Sequence, residues 1–380
     1  MMNILLIDGG LQGVSVTRSL KNDGYNVFAL LSSTDLLNKY SQLNHAYITN
    51  YHFKDKEYIE LLFAILEKKN VSVIIPMSDN AAEFLSLNKT KIETHFETKC
   101  AIPEYSIFSK ANDKWELLHL CEQHGLPHPR TRKITPDILK NVAEYVGFPS
   151  LIKPNISVGA RGITMVNSMD ELEQKYGQVI KQYGDSTLQE YIENGGAPYY
   201  NVMLYRDSFG KIVNSVVLEI IRYYPVKGGS SSFGKTIECE ELVDICGKTL
   251  EILKWNGFAD FDVLKDRNGE YKIIEINPRV PASLRAAEIS GVNFPSLIVS
   301  ELLDQPIKGC SYTKNKRLRY LGLDIMWFIS SPNRLKAISS WLTFWSKDLY
   351  YQEKGVMMSS LISGLRKIFS SSFRKSKQGL

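Results

Sequence analysis

The sequence is poor in the residues that build disulfide frameworks and zinc sites. It has five cysteines, an odd number with no C-x-x-C pair, and six histidines that do not cluster. This pattern predicts free thiols in a reducing compartment and argues against a disulfide framework or a structural zinc site. The sequence also lacks a Ser/His or Cys/His arrangement of the kind that indicates nucleophilic catalysis by a side chain.

Long apolar runs are also absent. None approaches the ~20 residues of a membrane-spanning helix, and no basic segment precedes an apolar core at the N-terminus, so we expect no signal peptide. The 380 residues are enough for two or three domains. A composition of 44% hydrophobic and 23% charged residues is ordinary for a soluble globular protein. We therefore expect a cytoplasmic protein.

Acidic residues are missing from the C-terminal tail. After residue 355 there are five basic residues and no acid, and these five equal the whole formal net charge of +5. Residues 1–355 therefore sum to zero, so we expect no nucleic-acid partner. Apolar residues recur at helical spacing among the basic ones, which favours contact of residues 357–377 with an anionic membrane surface. A disordered tail and docking on the protein's own surface are the alternatives.

The most informative stretch is residues 256–285, where two strand-like runs flank Asn268-Gly269. Asn-Gly favours a two-residue hairpin turn, because both central positions need a positive φ. Like charges opposed across such a hairpin repel unless a cation lies between them. Carboxylate and amide oxygens suit Mg²⁺. A solvated polar face is the alternative. The register places two opposed pairs on one face, Asp262 with Glu275 and Asp260 with Asn277.

The motif E-I-N-P-R at residues 275–279, after a strand that carries F-D-V, resembles the metal-binding core of ATP-grasp enzymes such as biotin carboxylase, carbamoyl phosphate synthetase and D-alanine–D-alanine ligase. The resemblance covers residues 1–303. It implies ATP as cofactor and Mg²⁺ (or Mn²⁺) held by Asp262, Glu275 and Asn277. Arg279 is a candidate catalytic residue, because a fixed cation there can hold a phosphate or a developing oxyanion. Pairing of Arg279 with a carboxylate is the alternative.

A second signal lies in residues 147–166, where a strand ending in Lys153-Pro154 precedes a glycine-bearing loop and another strand. Glycines let backbone amides approach phosphate closely, and a lysine adds a point charge. This arrangement resembles the ATP-grasp lid. Lys114, in the first turn of a helix predicted over 110–124, matches the family's other phosphate lysine. The resemblance implies ATP contacts from Lys114, Lys153 (also a catalytic candidate), Ser157, Gly159, Arg161 and Gly162.

Residues 187–192 resemble the family's adenine-binding hinge strand, with Glu190 and Ile192 at the matching positions. Many relatives then place a glutamate against the ribose. Tyr199 stands at about that position here, so Glu193 is our candidate in its place. Further along, Gly229 and Ser230 lie in a polar loop near Arg222. These three are candidates for the second substrate site, and an ordinary hairpin turn is the alternative.

The expected fold class is α/β: a Rossmann-like N-terminal domain over 1–105, an ATP-grasp fold over 106–303 with its lid at about 148–188, and a helical C-terminal extension over 304–380. The N-terminal strand–glycine turn–helix suggests the first domain. The second strand lacks the acid that an NAD site needs, so we interpret the turn as structural.

The resemblance implies an ATP- and Mg²⁺-dependent ligase that activates a carboxylate as an acyl phosphate and joins it to an amine. Carboxylation or carbamoyl-phosphate-type chemistry through carboxyphosphate is one alternative, and a catalytically inactive nucleotide-binding protein is another. The expected partners are small-molecule carboxylate and amine substrates, and a homodimer stays open.

Overall fold

The computed structural model describes residues 2–39, 42–157, 161–193, 198–226, 229–332, 334–342 and Ile362. Gly159 and all of the basic tail except Ile362 lie outside that part. The described chain forms three sheets with helices packed on them, in a mixed α/β arrangement. All five cysteines fall within it, and each is a free thiol.

The N-terminal sheet is parallel, with strand order β3-β2-β1-β4-β5. Its strands are short apolar runs because helices cover both faces of a parallel sheet. Alternate residues of β1 accordingly belong to two different hydrophobic clusters, one on each face. Its elements are β1 (Asn3–Ile7), α1 (Gly10–Asn22), β2 (Asn26–Ser32), β3 (His45–Thr49), α2 (Lys56–Lys69), β4 (Val71–Pro76), α3 (Asp79–His95) and β5 (Lys99–Cys100).

The glycine-rich turn after β1 is a packing feature, as expected from its sequence. A Cβ on Gly9 would lie 2.5 Å from Leu37 Cβ, and one on Gly13 would lie 2.8 Å from Leu37 Cδ2. The two glycines therefore let the segment after β2 approach the start of α1 closely. Leu11, between them, lines the large cavity described below.

A smaller antiparallel sheet follows, with order β6-β9-β7-β8. We predicted a helix over 110–124 with Asn112 or Asp113 as its cap, and Asp113 is the cap: its side chain accepts from Trp115 N (2.8 Å) and Glu116 N (3.1 Å). The residues before Asp113 belong to a separate helix, because Asp113 has extended backbone. The elements are α4 (Tyr105–Asn112), α5 (Lys114–Gln123), β6 (Thr131–Lys133), α6 (Leu139–Val146), β7 (Ser150–Pro154), β8 (Thr164–Val166), α7 (Met169–Tyr183) and β9 (Ser186–Glu190).

The third sheet is antiparallel, with order β14-β13-β10-β11-β12-β15. Its buried side chains share hydrophobic clusters with the N-terminal sheet, so the two pack as one body. Its elements are β10 (Tyr199–Arg206), β11 (Ile212–Tyr224), β12 (Ser230–Ile237), α8 (Glu240–Leu253), β13 (Gly257–Lys265), β14 (Tyr271–Asn277), α9 (Leu284–Ser290), α10 (Phe294–Leu302), β15 (Arg317–Arg319), α11 (Leu321–Ser330) and α12 (Ile338–Leu342).

The segment after residue 303 is more closely joined to this sheet than a helical extension would be. It supplies β15, which pairs with β12 at the sheet edge, and then α11, which packs on β11 and β12. Among the described helices, none is long and apolar enough to cross a bilayer.

Candidate active site

A cavity of about 500 Å³ lies on one face of the antiparallel sheet formed by β10–β15. Its floor includes side chains from five of that sheet's strands, and β7, β9 and the loop after β14 supply further walls. Most of the residues that we predicted from sequence meet here. The cavity is lined by Lys114, Lys153, Ser157, Glu190, Ile192, Gly229, Ser230, Asp262, Glu275, Asn277 and Arg279, among others.

The predicted hairpin pairing is confirmed. Asp262 lies opposite Glu275 and Asp260 opposite Asn277, and all four side chains reach the cavity. The neighbouring strand adds Asn201, which is paired with Asp262 and donates a hydrogen bond from Nδ2 to its Oδ1. Strand alternation from Tyr199 could have identified Asn201 from the sequence, and we did not assign it.

The predicted turn is wrong. The loop is residues 267–269, closed by Asp266 N donating to Glu270 O (2.9 Å), and only Gly269 has a positive φ, at 87°. This is the three-residue hairpin with a glycine in the last loop position. The loop shifts the register by one residue, and a bulge at Ile274 shifts it back. The paired carboxylates therefore stand where the simpler hairpin would have placed them.

Burial and mutual repulsion perturb the acidic side chains. Burial raises the pKa of Asp260 to about 8, although Arg279 and Asn277 oppose the shift. Burial also raises the pKa of Asp262 well above its ordinary value, and Glu275 and Asp260 add to it. Burial acts on Glu275 in the same direction, but Lys114 and Lys153 outweigh it and hold the pKa of Glu275 below its ordinary value.

Two lysines from separate elements supply the compensating charge. Lys114 Nζ lies 3.1 Å from Glu275 Oε2 and donates to Ser157 O at 3.2 Å. Lys153 is buried, and its pKa is lowered to about 8 by burial and by Lys114, against the attraction of Glu275 and Asp262. The attraction between these lysines and the hairpin carboxylates therefore holds α5 and β7 beside the hairpin.

The donor set fits a hard divalent cation that keeps part of its shell as water or phosphate. Asp260 Oδ1 is buried and has no hydrogen-bond partner among the described residues, while Oδ2 accepts from Asn277 Nδ2 at 3.3 Å. The described residues form no cluster of three His, Cys, Asp or Glu side chains suited to a metal. The arrangement is therefore unsuited to an all-protein zinc cage.

Arg279 reaches the cavity from the loop after β14 and is held by the carboxylate of Asp79, the first residue of α3. Its Nε lies 3.1 Å from Asp79 Oδ1, and its Nη2 donates to Asp79 Oδ2 at 3.4 Å. Both side chains are mostly buried, with 17% and 19% exposure. This fork-to-fork geometry fixes the guanidinium plane. Ser78, which precedes Asp79, caps α3 through its hydroxyl.

Only part of the predicted phosphate loop lines the cavity. Ser157 lines the cavity, and its Oγ has no hydrogen-bond partner within the described chain. Arg161 is exposed and does not line the cavity. Gly162 has φ of 75°, and a Cβ there would lie 2.8 Å from Pro154 Cγ. Gly162 therefore packs the loop against β7. Gly159 lies outside the described residues.

The predicted hinge lines the cavity with Gln189, Tyr191 and Ile192 besides Glu190. The Glu190 carboxylate pairs with Arg130 at 3.2 Å, and the Glu190 backbone N–H donates to Arg130 O at 2.8 Å. Glu193 instead pairs with Arg267 and does not line the cavity, whereas Tyr199 does.

Arg222 is a correction to the predicted substrate site. It is buried, and its guanidinium binds Asp324 of α11, with Nε 2.8 Å from Oδ1 and Nη2 3.1 Å from Oδ2. Its neighbour Tyr223 lines the cavity instead. The polar loop with Gly229 and Ser230 is close to Arg222 in sequence, but it does not determine where the Arg222 side chain points. Asp324, its real partner, is 102 residues distant.

Gly229 and Ser230, in contrast, do line the cavity. A Cβ on Gly229 would lie 2.3 Å from the carbonyl oxygen of Tyr224, so the position excludes any side chain. The Gly229 carbonyl accepts a hydrogen bond from Tyr199 Oη at 3.3 Å.

The chain resembles known proteins in this region and beyond it. The family model described as ATP-grasp in the biosynthetic pathway with Ter operon matches residues 213–322. A D-aspartate ligase of Enterococcus faecium is 21% identical over 337 residues, which cover 82% of this chain and 79% of that protein. A D-alanine–D-alanine ligase of Francisella philomiragia is 25% identical over 301 residues, covering 76% of this chain and 91% of the ligase.

Solved structures share the fold. Biotin carboxylase of Campylobacter jejuni superposes with a TM-score of 0.69 at 18% identity, covering 83% of this chain and 74% of that chain. The N5-carboxyaminoimidazole synthetase of Staphylococcus aureus, solved with ADP, gives 0.66 at 17% identity, covering 83% and 80%.

The Asp79–Arg279 pair should couple the start of α3 to the loop after β14. We expect a double-mutant cycle of Asp79→Ala and Arg279→Ala, measured by urea unfolding, to give a coupling energy of about 1–2 kcal/mol. The pair Lys56–Glu60, with 86% and 59% exposure, is the control and should couple weakly because water screens it. A coupling energy of zero between Asp79 and Arg279 would show that the pair does not stabilise the fold.

Proposed function

The chain belongs to the ATP-grasp superfamily, and from that premise we propose that it is a ligase that uses ATP and Mg²⁺ (or Mn²⁺) to join a carboxylate to an amine. The observation that carries the proposal is the opposition of Asp262 and Glu275 beside two converging lysines, in the one cavity that Arg279 also reaches. A carboxylate oxygen attacks the γ-phosphorus and ADP leaves. The amine nitrogen then attacks the acyl carbon, and phosphate leaves.

We assign the metal to Asp262, Glu275 and Asn277. Asp260 lies opposite Asn277 in the same hairpin. When bound, Mg²⁺ neutralises phosphate charge and orients the phosphates for in-line transfer. The repulsion between the opposed carboxylates, and the unpaired Oδ1 of Asp260, support this assignment. The carboxylates hold the cation, and Asn201 fixes the orientation of Asp262.

We assign the phosphates to Lys114 and Lys153, which are buried and close to the metal ligands. The loop residues Ser157, Gly159, Arg161 and Gly162 would cover them, with Ser157 Oγ the group best placed to donate. Adenine would lie against the backbone of Glu190 and Ile192. The pairing of Glu193 with Arg267 weakens its assignment to the ribose.

We assign the developing oxyanion to Arg279. Transition-state charge is stabilised best by a donor that is already oriented, and Asp79 orients this guanidinium before any substrate binds. Asp79 is thus a positioning residue contributed by the start of α3. Gly229 and Ser230 belong to the second-substrate side of the cavity.

We propose domain assignments on the same basis. The parallel sheet of residues 1–105 is a Rossmann-like domain, residues 106–303 are the ATP-grasp domain with a lid over 148–188, and residues 304–380 are the C-terminal extension. The strand order of the first sheet supports the first of these boundaries, and the separate sheet of β6–β9 supports a lid. The C-terminal extension adds β15 to the edge of the third sheet. A homodimer is compatible with them and is tested by sedimentation.

A substrate screen tests the proposed function. ADP release would be measured with the full chain across amino acids, other organic acids and amines, together with product mass. ATP turnover that requires both an acid and an amine supports the ligase. Turnover that requires bicarbonate instead would indicate carboxyphosphate chemistry, and ATP binding with no turnover would indicate an inactive nucleotide-binding protein.

The metal ligands should be essential to turnover. We expect Asp262→Asn and Glu275→Gln each to lower Mg²⁺-dependent ATP turnover about 100-fold or more, because each removes a charge that holds the cation. Circular dichroism should show an intact fold. Glu270→Gln, at the exposed tip of the same hairpin, is the matched control. Near-wild-type turnover in both variants would refute the metal assignment.

Lys153 and Arg279 should affect different kinetic constants. We expect Lys153→Ala to raise KM for ATP about 10-fold, since it removes a ground-state contact, and Arg279→Ala to lower kcat about 100-fold with little change in ATP affinity. Lys133→Ala, a surface lysine of the same small sheet, is the control for Lys153. Equal losses of nucleotide affinity in both variants would mean that Arg279 is misassigned.

We also propose that residues 357–377 contact an anionic membrane surface. Five basic residues and a helical apolar spacing support this, since each near-surface charge contributes about 1 kcal/mol. We expect the full chain to co-sediment with anionic vesicles more than with neutral ones, and a truncation after Gly355 to lose the difference. Equal sedimentation of both proteins would leave the tail without this role.

A further inference from the structure

The cavity floor divides into a charged half and an aromatic half. Across the sheet order β14-β13-β10-β11-β12-β15, the carboxylates lie on β14 and β13. On the next strands the lining residues include Tyr199 of β10, Tyr223 of β11, Ser231 of β12 and Tyr320, directly after β15, together with the polar residues Asn201 of β10 and Ser230 of β12. Among the described residues that line the cavity, no charged residue lies on β11, β12, β15 or α11.

The members of this row are contiguous. The rings of Tyr199 and Tyr223 meet edge to face, with centroids 5.3 Å apart. Tyr223 is the register partner of Ser231, and Tyr320 N donates to the carbonyl of Ser232 at 2.8 Å. Four neighbouring strands at about 4.8 Å spacing make the row ~14 Å long, which is room for a substituent much larger than a methyl group.

A buried ionic cluster holds the far end of the row in place. Asp324 is fully buried and binds Arg222, Arg319 and Ser232, the last at 3.3 Å between Ser232 Oγ and Asp324 Oδ1. Each member of the cluster is adjacent in sequence to a residue of the cavity wall. The four adjacent pairs are Arg222 with Tyr223, Ser232 with Ser231, Arg319 with Tyr320, and Asp324 with Leu323.

This arrangement makes the wall rigid. A buried charge without its partner is costly, so each arm of the cluster is retained and holds its neighbour at a fixed position. The cations are further packed against rings, with Arg222 4.1 Å from the Phe233 centroid and Arg319 4.7 Å from that of Trp341. A preformed apolar wall is what recognises a substituent by shape.

We propose that the segment from β15 to α11, through Tyr320 and Leu323, is the specificity-determining wall of the substrate site, and that the carboxylate substrate carries an aromatic or large apolar group. The inference rests on the proposed function, since Arg279 and the metal site mark where the carboxylate reacts. Leu11, Pro281 and Ala282 complete the apolar surroundings. A short acidic or methyl side chain would leave the row unfilled.

The test measures acid activation separately from amine transfer. The full chain is given Mg²⁺, ATP and hydroxylamine, which traps an acyl phosphate as a hydroxamate. The acids are phenylalanine, tyrosine, tryptophan and leucine in both configurations and phenylacetate, compared with alanine, aspartate and glutamate. We expect kcat/KM to be at least about 10-fold higher for members of the first group, the scale of discrimination that a hydrophobic pocket provides.

The wall is tested by variants assayed with the best acid. Tyr320→Ala and Leu323→Ala should raise its KM about 10-fold while KM for ATP stays within about twofold, and Tyr320→Phe, which keeps the ring, should restore it. Ile329→Ala is the matched control, since Ile329 lies on α11 but is 52% exposed and outside the cavity. An unchanged KM for ATP also shows that a variant has folded.

The outcomes separate this inference from the function on which it rests. Hydroxamate formed from alanine or aspartate in preference to the aromatic acids would overturn the wall and leave the ligase standing. An aromatic compound that serves only as the amine would also overturn it. Equal effects of Tyr320→Ala and Ile329→Ala would do the same. No ATP turnover with any acid would overturn both.

Discussion

The structure depends on one electrostatic conflict, the opposition of Asp262 and Glu275 across β13 and β14. The two carboxylates lie on neighbouring strands and repel each other, and burial increases the cost because little water screens them. Lys114 and Lys153 supply the opposite charge from α5 and β7. The charges of the site are thus balanced only when three separate elements meet, and this is a reason for the cavity to form where it does.

The same compensation prepares the site for charged ligands. Phosphates would draw the two lysines, and a divalent cation would take the place of the lysines beside the carboxylates, so each group exchanges one opposite charge for another. The charge of Arg279 is compensated in the same way, because the guanidinium pairs with the carboxylate of Asp79. Because Asp79 is the first residue of α3, the orientation of this guanidinium depends on how the start of that helix lies against the loop after the hairpin.

Local rules predicted the opposed carboxylates of the cavity, and beyond them they placed Gly229 and Ser230 correctly but not Arg222. Strand alternation and turn chemistry put the carboxylates on one face, although the turn itself was wrong and a bulge at Ile274 restored the register. The cap predicted at Asn112 or Asp113 is confirmed at Asp113, whereas the separate helix α4 before it was not predicted. Arg222 was misplaced because its partner, Asp324, is far away in sequence and identified only by the pairing of β15 with β12.

This difference has a physical origin in how the two halves are built. The opposed carboxylates lie on one hairpin, whose strands are close in sequence and whose register follows from a short loop. The aromatic row is assembled from four strands, and its last member arrives on a strand about eighty residues after the strand that it pairs with. A contiguous motif therefore reveals the class of reaction, while the substrate is selected by surfaces that exist only once the chain has folded.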